Sequence, residues 1–177
     1  IFVFENVPYG NWLIKELQPA DGYLENNEIY PVRISENGQT VGVTVVNDRI
    51  PEIGTKATVN SEKTAAAEGE ITIEDTVSYK HLIPGKAYTV KGILMDKSTG
   101  KAFLIDGKEL TSEVTFTPEE SCGEVTVRFT FDGSKITKQT DLVVFEALYR
   151  DGTELDAHAD IEDGGQTVTL TPPAPPV

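Results

Sequence analysis

Histidine and cysteine are scarce in this chain, which has two of the first and one of the second, so nucleophilic and metal chemistry have few places to reside. His158 lies in Asp156-Ala157-His158-Ala159-Asp160-Ile161-Glu162-Asp163, an imidazole and four acids within eight residues. An imidazole oriented by a carboxylate can carry protons near neutral pH. The same acids could hold calcium, but their spacing does not match a helix-loop-helix calcium site, and no glycine occupies the turn position. His81, in Tyr79-Lys80-His81-Leu82-Ile83-Pro84-Gly85, is expected at a strand end, facing solvent. Cys122, in Glu119-Glu120-Ser121-Cys122-Gly123, reads as an exposed thiol in a hairpin turn, since one cysteine makes neither an internal disulfide nor a metal cluster. Phosphate loops, dinucleotide fingerprints, zinc-protease helices and nucleophile elbows are all missing. No metal and no cofactor is expected.

The elements that must position these residues are strands. Helical periodicity is nearly absent, whereas β-branched and aromatic residues alternate with polar ones. In Glu124-Val125-Thr126-Val127-Arg128-Phe129-Thr130-Phe131 the valines and phenylalanines fall on one face and the threonines and arginine on the other. Similar runs cover 70–79, 87–95, 113–117, 142–149 and 166–170. Pro84-Gly85, Ser98-Thr99-Gly100, Asp106-Gly107, Asp132-Gly133 and Asp151-Gly152 supply turns between them. Short strands at this spacing predict an all-β chain that folds as a sandwich or a barrel. The break between modules is expected near Asn47-Asp48-Arg49-Ile50-Pro51-Glu52. Ahead of it, residues 1–50 show four candidate strands, 1–5, 11–17, 29–35 and 40–46, too few for a closed sandwich, so this module is read as truncated at its N-terminus. Residues 172–177, Pro172-Pro173-Ala174-Pro175-Pro176-Val177, read as a proline-rich linker.

Fifteen basic residues against 29 acidic ones give a net charge of −14. Such a polyanion is repelled by phosphate backbones, which argues against nucleic-acid partners. No apolar run approaches the roughly 18 residues of a spanning helix, so no membrane insertion is expected. The opening Ile1-Phe2-Val3-Phe4 is too short for a signal peptide, and the chain is read as beginning inside a mature protein.

Residues 51–171 resemble the ester-bond-forming (VaFE-type) repeat modules of Gram-positive surface adhesins. The resemblance is carried by Pro51-Glu52-Ile53-Gly54-Thr55-Lys56-Ala57-Thr58, Ile73-Glu74-Asp75-Thr76-Val77-Ser78-Tyr79, Leu82-Ile83-Pro84-Gly85-Lys86-Ala87-Tyr88-Thr89-Val90, Gly92-Ile93-Leu94-Met95-Asp96, Val143-Val144-Phe145-Glu146-Ala147-Leu148-Tyr149 and His158-Ala159-Asp160-Ile161-Glu162-Asp163-Gly164-Gly165-Gln166-Thr167-Val168. It implies an ester between Thr55 on the first strand and Gln166 on the last. It also implies His158 as proton carrier, Asp75 and Glu146 as a buried acidic pair, and Asp163 as an orienting group. A threonine hydroxyl is a weak nucleophile at its own pKa and needs such a base. Two carboxyls forced together cannot both ionise, so one can donate to the developing oxyanion. Thr55 shares a strand face with Ala57 and Val59 while Thr58 faces away; Thr76 remains the alternative nucleophile.

Residues 1–50 resemble the C-terminal part of a Cna B-type module, through Val7-Pro8-Tyr9-Gly10-Asn11-Trp12-Leu13-Ile14-Lys15-Glu16-Leu17, Pro19-Ala20-Asp21-Gly22-Tyr23 and Val45-Val46-Asn47-Asp48. This implies Asn47 as acceptor and Glu16 as catalytic acid of a Lys–Asn isopeptide. Lys15 neighbours Glu16 and points the other way, so no isopeptide is expected among these residues. Together the resemblances imply an all-β chain of immunoglobulin-like β-sandwich modules in tandem, forming a non-enzymatic, secreted, cell-wall-anchored stalk module of an adhesin or pilus-like protein. They imply a monomer whose partners are neighbouring modules of the same chain and, through other domains, a host surface ligand. The competing reading is a module that itself grips a host protein or glycan.

Overall fold

Alternation becomes a strand only where a second strand lies alongside, and this divides the two parts of the chain. The computed structural model describes residues 1–174, which fall into two units, one spanning Ile1–Ile50 and the other running from Pro51. Of the linker read at 172–177, residues 175–177 lie outside the described residues.

In the first unit β1 (Gly10–Lys15) and β2 (Ile29–Ile34) form an antiparallel hairpin, registered from Gly10 opposite Ile34 to Lys15 opposite Ile29. A bridge between Tyr23 and Arg49 ties the end of the unit to its middle. The strands expected over 1–5 and 40–46 do not form. Their alternation is real, but no ladder partner stands beside them among the described residues, and unpaired extended backbone is not a strand.

The second unit is a two-sheet sandwich. One sheet has the order β11-β5-β3, from β3 (Glu52–Val59), β5 (Glu70–Lys80) and β11 (Gly123–Asp132). The larger sheet has the order β10-β6-β12-β14-β4, from β4 (Thr64–Ala66), β6 (Tyr88–Asp96), β10 (Thr111–Phe116), β12 (Thr140–Arg150) and β14 (Thr167–Thr171). Two further strands lie off that path: β7 (Lys101–Ala102) pairs with β6 and β13 (Thr153–His158) with β12. A small hairpin, β8 (Leu104–Ile105) and β9 (Lys108–Glu109), turns at Asp106-Gly107; β12 and β13 turn at Asp151-Gly152. Both residues of each turn have positive φ, 52° and 78° in the first and 50° and 76° in the second. That is the backbone a two-residue hairpin needs to match strand twist, and it explains the Asp-Gly pairs.

The core lies between the sheets. Ala57, Ile73, Val77, Val90, Leu94, Leu142, Val144, Leu148, Val168 and Leu170 are all buried there. One flank of β12 pairs with β6 along most of its length. Its other flank changes partner: Thr140 to Val143 pair with β14, and Glu146 to Arg150 pair with β13. The chain between those partners, 159–166, therefore leaves and re-enters the sheet beside Glu146.

Gly92, opposite Glu146 on β6, lets the sheets close at this point. A Cβ there would stand 2.6 Å from Phe129 Cζ and 3.4 Å from Val127 Cγ1. Gly92→Ala is expected to cost about 1–3 kcal/mol through overpacking of this seam, measured as a lowered urea midpoint.

Candidate functional site

Four strands and one loop bring the site together. Thr55 and Ala57 lie on the core face of β3, and Ala57 is registered opposite Asp75 of β5. Asp75 takes a position in the run Ile71, Ile73, Asp75, Val77 that otherwise holds only buried apolar side chains. Glu146 occupies the equivalent inward position on β12, between buried Val144 and Leu148. Gln166 immediately precedes β14, with its carbonyl accepting from Val144 N–H at 3.1 Å. His158 ends β13 and is registered opposite Glu146.

Burial at this place is close to complete: Asp75 and Gln166 are 0% exposed and Glu146 is 2% exposed. Gln166 Nε2 donates to Glu146 Oε2 at 2.9 Å. Among the described residues, the buried side-chain polar atoms without a hydrogen-bond partner are Thr55 Oγ1, Asp75 Oδ1 and Oδ2, Glu146 Oε1 and Gln166 Oε1. All belong to this one constellation. A stranded buried polar atom costs about 1–3 kcal/mol, so their concentration at one place marks it as the candidate site.

The carboxyls are not both ionised. Burial pushes Glu146 up to about 10, and the neighbouring Asp75 pushes the same way, while Gln166 and Thr55 pull it down. Burial also raises Asp75, partly offset by Glu146 and by the charges of His158 and Lys63. Two buried carboxyls within hydrogen-bond reach of each other are reconciled by a shared proton, held chiefly by Glu146 at neutral pH.

At the edge of the site, His158 Nε2 meets Asp163 Oδ2 at 2.7 Å. Asp163 is held below the usual carboxylate range, first by that contact and then by the Gly165 N–H, which donates to Oδ1 at 2.7 Å. The Gln166 N–H donates to the Asp163 carbonyl at 3.1 Å and the Thr167 hydroxyl to the same oxygen at 2.8 Å. Asp163 thus fixes both the imidazole and the turn that presents Gln166.

Of the residues implied by the resemblance in this unit, Thr55, Asp75, Glu146, His158, Asp163 and Gln166 converge here, and the alternative nucleophile does not. Thr76 alternates away from buried Asp75 and Val77 and sits on the opposite face of β5. One expectation changes. The neutral Glu146 carboxyl stands at Nε2 of Gln166 and not at Oε1, so it faces the nitrogen rather than the carbonyl oxygen. Which end of a carboxamide faces which carboxyl is decided by side-chain packing, which residue types do not encode.

In the first unit Asn47 Nδ2 donates to both Glu16 oxygens, at 2.9 and 2.7 Å, and Asn26 N–H donates to Glu16 Oε2 at 3.1 Å. Glu16 and Asn47 are brought together, while Lys15 is exposed. Two residues to which the sequence reading gave no part in the ester also touch the site. Lys63 donates to the carbonyls of Ala57 and Gly165, and Asp156 accepts from Ile53 N–H at 2.8 Å. In sequence both look like ordinary solvated charges.

These features define an all-β sandwich module with a shielded threonine, carboxamide and acid pair set between its first and last strands. Residues 51–170 match the family model of the T-Q ester bond containing domain, and the chain belongs to that family. Residues 1–49 match the model of a prealbumin-like fold domain. Among solved structures, two crystal forms of a bacterial adhesin from Mobiluncus mulieris containing intramolecular disulfide, isopeptide and ester bond cross-links superpose on the chain. The P21 form has a TM-score of 0.59 at 21% identity. The P1 form has a TM-score of 0.58 at 20% identity. Both cover 71% of this chain and 58% of the adhesin chain, so this chain spans less than two thirds of the relative it matches. At that identity the likeness shows a shared fold. A comparison with curated proteins returns no match.

Proposed function

We propose that the second unit is a self-crosslinking structural module in which Thr55 and Gln166 become joined by an ester. The observation that carries this reading is that the stranded buried atoms fall on Thr55, Asp75, Glu146 and Gln166 together. Membership of the T-Q ester bond family supports it.

The geometry supports the following chemistry. Thr55 Oγ1 attacks the side-chain carbonyl carbon of Gln166, forming a C–O bond. The hydroxyl proton passes to His158, which Asp163 orients and whose cationic form Asp163 stabilises. The C–N bond then breaks, and the nitrogen leaves as ammonia after gaining a proton. Neutral Glu146, already bonded to Nε2, is the group placed to deliver it, and the proton taken by His158 restores the balance. Folding itself supplies the proximity, because both reactants are anchored on packed strands. The hydroxyl is consumed, so the reaction runs once and the module is not an enzyme with turnover.

Joining the first strand to the last closes the module against unzipping from its ends. That fits a stalk segment of a secreted, cell-wall-anchored adhesin or pilus-like protein, acting as a monomer between neighbouring modules of one chain, with host ligands bound elsewhere. Glu16 and Asn47 fit the acid and acceptor of an isopeptide site in the first unit. Intact mass tests the main reading. The folded protein is expected about 17 Da lighter than its sequence, one ammonia per ester, and Gln166→Ala is expected to show its full sequence mass. A folded wild type at full sequence mass would rule out the ester.

A further inference from the structure

β3, which carries Thr55, ends its sheet: one flank pairs with β5 and the other has no strand of the same sheet beside it. An edge of this kind ordinarily leaves a row of backbone donors and acceptors to solvent. Here the edge is taken up from the other sheet. Asp156 Oδ2, on β13, accepts the Ile53 N–H at 2.8 Å. The Gly165 carbonyl accepts the Ala57 N–H at 3.0 Å. The Lys63 ammonium donates to the Ala57 carbonyl at 2.6 Å and also to the Gly165 carbonyl. Val59 and Glu62 exchange reciprocal backbone bonds at 2.8 and 2.9 Å, which turn the chain back and set Lys63 in place.

These fastenings bracket the nucleophile. Ile53 lies two residues before Thr55 and Ala57 two residues after it, all on one strand phase. Asp156 likewise lies two residues before His158, and Gly165 lies one residue before Gln166. One side chain therefore ties the front of the nucleophile strand to the strand of the proton carrier. The other ties its back to the residue adjoining the acceptor. Lys63 also sits between two carbonyl oxygens whose dipoles would repel without a cation between them. Burial draws its pKa down, as does nearby Lys56, while Asp163 and Asp75 draw it up, consistent with an ammonium placed inside the rim of the site.

We propose that Lys63 and Asp156 are positioning residues for the crosslinking reaction, pinning the β3 edge on either side of Thr55 so that its hydroxyl is held against the Gln166 carboxamide. This rests on the proposed Thr55–Gln166 ester. Neither residue exchanges a proton or a bond with the reacting atoms. Each acts through the backbone it holds, and misplacement of reacting groups by about 1 Å can cost on the order of a hundredfold in rate.

The test follows ammonia loss over time by intact mass, in the full chain made by cell-free synthesis. Lys63→Met and Asp156→Ala are expected to join at least about tenfold more slowly than wild type. Lys63→Arg and Asp156→Asn keep a donor and an acceptor, respectively, and are expected to recover most of the rate. Thermal melting of Thr55→Val with and without Lys63→Met separates positioning from folding, because both proteins are expected to be folded at the assay temperature. The inference is overturned if Lys63→Met and Asp156→Ala join at the wild-type rate while wild type joins normally. It is equally overturned if the conservative variants are as slow as the disruptive ones, or if the slow variants are simply unfolded. A wild type that never loses ammonia overturns the ester itself, and this inference with it.

Discussion

Thr55→Val is expected to lower the stability of the second unit by about 4–5 kcal/mol. The ester would close a loop of roughly 110 residues, and constraining an unfolded chain by that length is worth about this much in the chain-entropy model. Valine matches threonine in shape, so the variant opens no cavity. The loss is therefore assigned to the missing crosslink and not to packing. Two signatures accompany it in denaturant titration. The midpoint falls, and the m-value rises, because an unjoined chain unfolds to a more expanded state and exposes more surface. Gln166→Ala is expected to lose more, since it also strips Glu146 of the amide that donates to it. If Thr55→Val unfolds at the wild-type midpoint with the wild-type m-value, no clamp exists.

The Asp75–Glu146 pair yields the second large effect, visible in the unjoined Thr55→Val background. Glu146 is raised from the ordinary glutamate value to about 10, and Asp75 is raised as well. A carboxyl raised in the folded state keeps its proton there while the unfolded chain has already released it. Between those two pKa values the unfolded state binds fewer protons, so stability falls as pH rises. The unjoined protein is thus expected to be most stable near pH 5 and to lose stability toward pH 10, at up to about 1.4 kcal/mol per pH unit for each proton retained. Asp163 and Asp132 are shifted downward and act with the opposite sign, but their window lies at and below the usual carboxylate range. Glu146→Gln is expected to flatten the alkaline slope. In the wild-type background the same substitution keeps a hydrogen-bonding group but cannot pass a proton, and is expected to slow crosslinking by about 10²–10⁴-fold, leaving unjoined protein by mass. A slope unchanged by Glu146→Gln would place the retained proton elsewhere.

Much of the second unit was legible from alternation and turn residues. The runs at 124–131, 70–79 and 142–149 lie within β11, β5 and β12, and the Asp-Gly pairs at 106 and 151 stand in the hairpin turns. Alternation failed at 1–5 and 40–46, because it reports which face of an extended chain is apolar and says nothing of whether a neighbour exists to pair with. It also missed β13, and it missed β4, β7, β8 and β9, which are too short to show a period. Asp75 and Glu146 were read from the family resemblance alone, and the structure shows each as a buried acid inside an otherwise apolar run.

The hydroxyl, carboxamide, imidazole and acids of the second unit were implied by the family resemblance, with Thr76 left open beside Thr55, and residue type and order alone settled that this chain is built of strands and where its turns fall. Those properties are written locally, in side-chain chemistry and in a two-residue period. The meeting of the parts was decided by tertiary structure. The change of partner along β12 opens a place for Gln166 beside Glu146, and the packing of two sheets sets Asp75 against it. The free edge of β3 is closed by Lys63 and Asp156, to neither of which the sequence reading gave a part in the ester. Distances between strands far apart in sequence, and the dielectric between them, exist only once the chain has closed on itself, and they are what turn ordinary carboxyls into a shared-proton pair.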